Sequence, residues 1–146
     1  MANFVYDKAR EKFLSGDLSW TRDTFKVILL NSSYTASKDH QTLVDVPTGS
    51  RIATSTPLVN KSASNGVASA DPKVITDVPA GRVIKSLIIV KQNTLATDLQ
   101  SELVAYIDTA SGISGTNNSG LTTTGANVTI NWSGVAGAIP NKIFNL

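Results

Sequence analysis

One histidine and a few aspartates are the side chains through which this chain could do chemistry. His40 is the single histidine of the 146 residues and lies in the polar segment 37–41, beside Asp39. A Ser-His-Asp site requires an imidazole that is held rigidly beside a nucleophile and an oxyanion-binding group. Because only polar residues flank His40 in this segment, nothing local fixes its ring. The sequence therefore predicts a histidine in a surface loop.

A pair of carboxylates could instead hydrolyse a glycosidic bond. Most of the candidate carboxylates are aspartates in or next to turn sequences, where the side chain caps its own backbone. They are Asp45, Asp71, Asp77 and Asp108. Glu102 differs because it begins a predicted strand, where a charge protects a sheet edge. We therefore predict no catalytic residue and no enzymatic activity.

Metal and nucleotide motifs are missing from the sequence. With one histidine and no cysteine, the usual zinc ligand sets are excluded. The calcium-loop pattern Asp-x-[Asp/Asn]-x-[Asp/Asn]-Gly does not occur. The glycines between 112 and 125 lack the Gly-Lys-[Ser/Thr] ending of a phosphate-binding loop. The sequence predicts no metal site and no cofactor.

Charge and hydropathy exclude two classes of partner. The net charge is only +2, and the basic residues are scattered singly among aspartates. Nucleic-acid binding needs a basic stripe, so we predict no nucleic-acid partner. The longest apolar runs, 27–30 and 87–90, are far shorter than the roughly 20 residues that span a bilayer.

The first residues lack the pattern of a secretory signal. With no cysteine, the chain suits a bacterial cytoplasm, and its length suits one domain over 1–146.

Residues 3–15 have the periodicity of one short helix, so 1–16 form a predicted helical N-terminal segment. One apolar stripe follows the 3.6-residue period; it contains Ala2, Val5, Tyr6, Ala9 and Phe13. Asn3 is the candidate N-cap, and Gly16 is placed to end the helix in a left-handed conformation. A helix this short is unstable alone in water, so its stripe must pack on a surface. That surface is either the domain's own sheet or a neighbouring subunit.

The rest of the chain has the pattern of short strands separated by turns. Strands are predicted at 24–31, 50–55, 57–63, 83–92, 102–109, 128–132 and 142–146. Asn65-Gly66 predicts a hairpin. Two Asp-Val-Pro-x-Gly segments, 45–49 and 77–81, predict similar turns before strands, and 93–100 and 110–126 predict loops. About seven strands and one N-terminal helix predict a mainly β fold, either a β-sandwich or a partly open barrel.

Several short phrases resemble the small structural proteins of tailed-bacteriophage virions. The phrases are FVYDKAREKFL at 4–14, DLSWT at 17–21, FKVILL at 25–30, RIATS at 51–55, NGVA at 65–68, AYIDTASG at 105–112 and NKIF at 141–144. The resemblance runs nearly end to end as a likeness of layout and contains no catalytic signature. It implies a virion structural protein assembled in the host bacterial cytoplasm, with a capsid decoration or cement protein favoured.

Three functions stay open at this point. Besides a decoration protein, which would bind the major capsid protein and its own copies, a tail, neck, baseplate or fibre-attachment component fits, as does a carbohydrate-binding β-sandwich. The expected contact residues lie at the two apolar ends of the chain; they are Val5, Tyr6, Ala9, Phe13, Ile143, Phe144 and Leu146. A free apolar edge strand aggregates, and closed symmetry covers it. We therefore expect a homo-oligomer, with a trimer favoured.

Overall fold

The computed structural model describes residues 4–64, 66–92, 101–107, 121–130 and 142–145. The chain is mainly β, with one short N-terminal helix and several antiparallel sheets, so the predicted fold class is confirmed. The helix α1 spans Asp7–Ser15. The strands are β1 Phe4–Val5, β2 Phe25–Leu30, β3 Arg51–Thr54, β4 Ser62–Ser64, β5 Val67–Ser69, β6 Lys73–Ile75, β7 Val83–Ile84, β8 Ser86–Lys91, β9 Glu102–Ile107, β10 Leu121–Thr122, β11 Val128–Ile130 and β12 Lys142–Asn145. These twelve exceed the predicted seven because several consist of only two or three residues.

Five antiparallel strands form the largest sheet, in the order β1-β9-β8-β2-β3. β2 and β8 pair over six residues, from Phe25 opposite Lys91 to Leu30 opposite Ser86. Five of the six residues are buried in each of β2, β8 and β9. Both faces of these strands are therefore covered, which is the environment that their continuous apolar runs predict.

Three smaller sheets complete the fold, and the described strands in them pair as β12-β5-β4, β11-β6 and β10-β7. The hairpin of β4 and β5 places Ser64 opposite Val67, and Gly66 has φ +78°, so the predicted hairpin is confirmed. The predicted strand 57–63 is wrong in its first part. β4 begins only at Ser62, and the preceding segment is held by single bonds such as Leu58 N–H to the Phe25 carbonyl.

Trp20 joins the three-stranded sheet to the five-stranded one. Its indole Nε1 donates to the Ser69 carbonyl of β5 at 3.0 Å. Its ring centroid lies 4.8 Å from that of Phe25 in β2. The side chain is only 6% exposed. One indole therefore bonds to one sheet through its polar end and packs on the other through its apolar surface.

The helix begins four residues later than the sequence predicts. Phe4 and Val5 form β1 and pair with β9, and Tyr6, not Asn3, stands before the first helical residue. Pairing at the sheet edge satisfies backbone groups that a longer helix would also satisfy, so tertiary structure decides between the two. Gly16 has φ +87° and ends the helix, as predicted. α1 packs on β9, which is the first of the two alternatives stated for its stripe.

The two Asp-Val-Pro-x-Gly segments lead into strands but differ in backbone shape. The first lies in two short 3-10 turns, Leu43–Asp45 and Thr48–Ser50, before β3. The second has positive φ at Asp77 and Gly81 before β7. The same Asp-Val-Pro-x-Gly pattern thus adopts two backbone conformations.

Late in the chain, one predicted loop is corrected, and several other predictions fall outside the described residues. Part of the predicted loop 110–126 is β10, which pairs with β7. The loop 93–100, the Trp132 end of the strand predicted at 128–132, and Leu146 lie outside the described residues. In the part of the chain that is described, no helix has the length and apolar character to cross a membrane.

Candidate functional site

His40 lies in a loop, as predicted, but a chain of hydrogen-bonded side chains holds its ring, which the sequence did not predict. Its Nδ1 lies 2.8 Å from the hydroxyl oxygen of Tyr34. That oxygen lies 2.9 Å from the hydroxyl oxygen of Tyr6. Tyr6 is fully buried and Tyr34 is 7% exposed, while His40 is partly exposed. The imidazole is thus the outer end of a polar chain that runs into the core.

Aromatic packing surrounds this polar chain. The Phe4 ring lies 5.0 Å edge-on from Tyr6 and 5.2 Å from Tyr106, and Tyr34 lies 6.0 Å from Tyr106. Burial, followed by the hydrogen bond to Tyr34, raises the pKa of Tyr6 far above its usual range. Burial also raises the pKa of Tyr34. Both phenols are therefore neutral, and they anchor the segment that carries His40 to β1 without supplying a reactive phenolate.

The candidate carboxylates are held in separate structural contacts. Asp45 accepts the backbone N–H groups of Gln41 at 2.8 Å and Thr42 at 3.3 Å, which lowers the pKa of its carboxyl. Glu102 forms an ion pair with Lys12 of α1. The predicted role of Asp45 as a turn cap is confirmed. The backbone of Thr42, whose N–H Asp45 accepts, forms an isolated antiparallel bridge with the backbone of Glu102.

The other two candidate aspartates in the described part of the chain, Asp71 and Asp77, belong to different local structures. Asp71 accepts a hydrogen bond from the Asn60 amide at 2.5 Å, and Asp77 occupies a turn with φ +58°. Asp108 lies outside the described residues. Where the structure is described, no three His, Cys, Asp or Glu side chains gather at a spacing that would hold a metal ion.

An apolar groove of about 260 Å³ opens between α1, the turn that follows it, and the β4–β5 hairpin; we call it the helix–hairpin groove. Its lining combines two aromatic side chains with small residues of the hairpin. The lining residues are Phe13, Ser19, Trp20, Thr21, Ala63, Gly66, Val67 and Ala68. Leu14, the next residue of α1 after Phe13, is 88% exposed. The end of the helix therefore presents apolar surface to solvent.

Local hydrogen bonds fix the walls of the helix–hairpin groove. Gly16 ends α1 and redirects the chain. The Asp23 carboxylate accepts the Ser19 N–H at 2.7 Å, which closes the turn that carries Trp20. Lys61, just before β4, donates to the Asp23 carbonyl and so ties the hairpin to this turn. The alanines and glycine of the hairpin then leave the space that the groove occupies.

Three of the predicted interface residues are already packed inside the chain. Val5, Tyr6 and Ala9 are buried in its own hydrophobic core. Val5 belongs to β1, and Ala9 faces the sheet from α1. Their apolar surface is therefore used to attach the N-terminal segment to β9, and a role between subunits stays a prediction.

The other predicted interface residues that the structure describes lie near the β4–β5 hairpin. Phe13 lines the helix–hairpin groove. Phe144 of β12 pairs through its backbone with Ala68 of β5, and Ile143 packs against the core. Leu146 lies outside the described residues. The structure thus brings the helix and the terminal strand to one small sheet, which the sequence did not predict.

A second depression, of about 170 Å³, lies beside the five-stranded sheet. Lys26, Arg51 and Gln92 are among its lining residues. The Arg51 guanidinium donates to the backbone carbonyls of Leu43 and Val46 at 2.5 and 2.7 Å. That cation therefore braces the 3-10 turn before β3.

Comparison with known proteins assigns no family to the chain. No protein-family model matches the sequence, and a search of curated proteins finds no match. Function is therefore inferred from the surfaces described above and from the resemblance of the sequence phrases. The Tyr34–His40 contact, which the sequence did not predict, had a weak signal, because Tyr34 is an aromatic residue in the otherwise polar segment before His40.

Proposed function

We propose that this chain is a non-enzymatic structural protein of a tailed-bacteriophage virion, a capsid decoration protein that binds the major capsid protein and its own copies. The observation that carries the proposal is the helix–hairpin groove with the exposed Leu14 beside Phe13. The assignment to a virion rests on the resemblance of the sequence phrases to virion structural proteins. In this proposal the chain is assembled in the host bacterial cytoplasm and resides in the particle.

The groove has the composition of a protein-binding surface. Aromatic side chains are enriched at interfaces, and a large exposed apolar side chain such as Leu14 is stabilised when a partner covers it. Covering apolar surface contributes about 25 cal/mol per Å². Two lysines of α1 are paired within the chain, Lys8 with Glu11 and Lys12 with Glu102.

The side chains that could do chemistry are engaged in structural bonds. Asp45 caps a turn, Glu102 is paired with Lys12, and His40 is bonded to a neutral tyrosine. These contacts favour a binding protein over a hydrolase. The proposal therefore assigns no catalytic residue.

The two alternatives differ in what supports them. A carbohydrate-binding module needs aromatic faces that a sugar ring can stack on, and Trp20 is only 6% exposed, which disfavours that function. A tail, neck, baseplate or fibre-attachment component would use the same kind of apolar surface. Its copy number in the particle would be far lower than that of a decoration protein.

Rebinding to particles that lack the protein tests the proposal. The purified chain is added to virions from a phage whose gene for it is deleted, and the bound fraction is measured after sedimentation. Leu14→Ser should weaken binding about 10-fold or more, because covering a leucine contributes about 1.5–3 kcal/mol. Val83→Ser is the matched control, since Val83 is 43% exposed on β7. Equal binding by Leu14→Ser, Val83→Ser and the parent would reject the exposed end of α1 beside the groove as part of the attachment surface.

A further inference from the structure

We propose that β4 pairs with β4 of a second copy, so that two chains share one continuous six-stranded sheet around a two-fold axis at Ala63. The inference rests on the proposed function, in which the chain binds its own copies, and it names the surface that does so. The strand order across the pair would be β12-β5-β4 from one copy and then β4-β5-β12 from the other.

β4 is a short, exposed edge strand. It pairs only with β5 among the described strands, and all three of its residues are exposed. Proteins usually protect such edges with a charge, a proline or a bulge. β12, at the opposite edge of the same sheet, begins with Lys142 and contains a register shift. β4 has the sequence Ser-Ala-Ser and none of these devices.

The hairpin register directs the backbone of Ala63 outward. Ser64 and Val67 flank a two-residue turn, and the pair that flanks such a turn exchanges both hydrogen bonds. Bonded and non-bonded pairs alternate along an antiparallel ladder, so Ala63 and Ala68 form the non-bonded pair. The N–H and C=O of Ala63 therefore point away from β5. Two copies related by a two-fold axis satisfy both groups, because each Ala63 donates to and accepts from the other.

The side chains of β4 are compatible with this pairing. An antiparallel contact centred on Ala63 places Ser62 opposite Ser64 of the other copy, and these small residues do not clash. Serines already face each other in this way inside the hairpin, where the Ser62 and Ser69 hydroxyl oxygens are 2.5 Å apart. The two Lys61 residues stand four positions apart along the paired strands, about 13 Å. That separation exceeds the Debye length of about 8 Å at physiological ionic strength, so they repel little.

The self-complementary sequence favours a second copy over a foreign strand as the occupant. Ser-Ala-Ser is identical when reversed, so an antiparallel copy matches it position by position. Ala63 also lines the helix–hairpin groove, and residues opposite each other share one face of a sheet. The two grooves would therefore lie side by side across the axis. A two-fold contact of this kind produces a dimer and takes the place of the trimer expected from sequence.

A cysteine at the axis tests the pairing directly. The chain contains no cysteine, so Ala63→Cys introduces the single thiol. Directly opposed residues of a bonded antiparallel pair have Cα atoms about 5.5 Å apart, within disulfide range. Mild oxidation should convert most of Ala63→Cys to a species of twice the 15.4 kDa chain mass. Val83→Cys, exposed on β7, should stay monomeric; equal crosslinking of the two variants would overturn the proposal.

Proline at the same position is the second variant. Ala63→Pro removes the outward N–H but no ladder bond to β5, so it should yield a monomer by light scattering that melts close to the parent. Ser64→Pro, which removes a ladder bond, should instead lower the melting temperature. A parent that is monomeric yet binds virions would contradict the self-pairing alone. A crosslinked dimer that fails to bind virions would contradict the proposed function alone.

Discussion

The hydroxyl oxygen of Tyr34 lies 2.8 Å from Nδ1 of His40 and so ties a polar surface segment to the interior. The same oxygen is 2.9 Å from that of Tyr6, which is fully buried. Tyr34 is the central member of the three, because it bonds to both of the others. Its loss would leave a buried hydroxyl without this partner.

Tyr34→Phe should destabilise the fold more than Tyr6→Phe. The first change removes the partner of the buried Tyr6 hydroxyl, which costs about 1–3 kcal/mol. The second leaves Tyr34 bonded to His40 and should cost about 0.5–1.5 kcal/mol. Denaturant unfolding gives both values, and the double variant should cost less than their sum. A Tyr34→Phe cost no larger than that of Tyr6→Phe would contradict the assignment.

The same tyrosines should make the fold sensitive to alkaline pH. The folded-state pKa of Tyr6 is raised above the usual 10.0, chiefly because burial penalises the phenolate. Their contribution to stability is therefore complete below about pH 10 and is lost as pH rises above it. The free energy of unfolding should fall between pH 9 and pH 11 less steeply for Tyr6→Phe than for the parent. Parallel curves for the two proteins would refute this expectation.

Asp45 should contribute stability at neutral pH that disappears in acid. Hydrogen bonds from the Gln41 and Thr42 N–H groups lower its pKa in the folded state. The contribution is present above the unfolded pKa of about 4 and is lost as pH falls through the folded value. Asp45→Ala should cost less than about 1 kcal/mol at pH 7, because the carboxylate is exposed, and nothing near pH 2. Asp45→Asn, which removes the charge but keeps an oxygen that can accept the two N–H bonds, is the control and should show a smaller difference between the two pH values.

Gly16 and Gly49 should respond oppositely to alanine. Nothing lies within 4 Å of a Cβ at either position, but Gly16 has φ +87° and Gly49 lies outside the left-handed region. Gly16→Ala should therefore cost about 1–2 kcal/mol from backbone strain alone. Gly49→Ala should be neutral or stabilise by up to about 1 kcal/mol, because it restricts the unfolded chain. Thermal melting of the two variants measures the contrast, and equal losses would contradict the backbone assignment.

The central strands could be predicted from sequence because each carries its own signal. Phe25–Leu30 and Ser86–Lys91 are dense apolar runs, and burial on both faces follows from that density. Asn65-Gly66 likewise specifies its hairpin locally. Features of this kind depend on a few adjacent residues, so they can be predicted without knowledge of the rest of the fold.

The remaining features depend on contacts between residues that are far apart in the sequence, so a local sequence pattern does not predict them. Val5 and Tyr6 fit a helical stripe, yet pairing with β9, about a hundred residues away, makes Phe4–Val5 a strand. His40 has polar neighbours in sequence, but Tyr34 and the core hold it in space. The helix–hairpin groove also forms from segments that meet only after folding, so the sequence indicated Phe13 without the surface around it.

The number of copies of this chain in purified virions distinguishes a decoration protein from the other virion components. Quantitative mass spectrometry, with the major capsid protein as internal reference, measures that number. A decoration protein covers a symmetric shell, so we expect on the order of hundreds of copies in a simple ratio to the major capsid protein. A handful of copies would indicate the tail, neck or baseplate instead. Absence of the chain from intact, infectious particles would contradict the account.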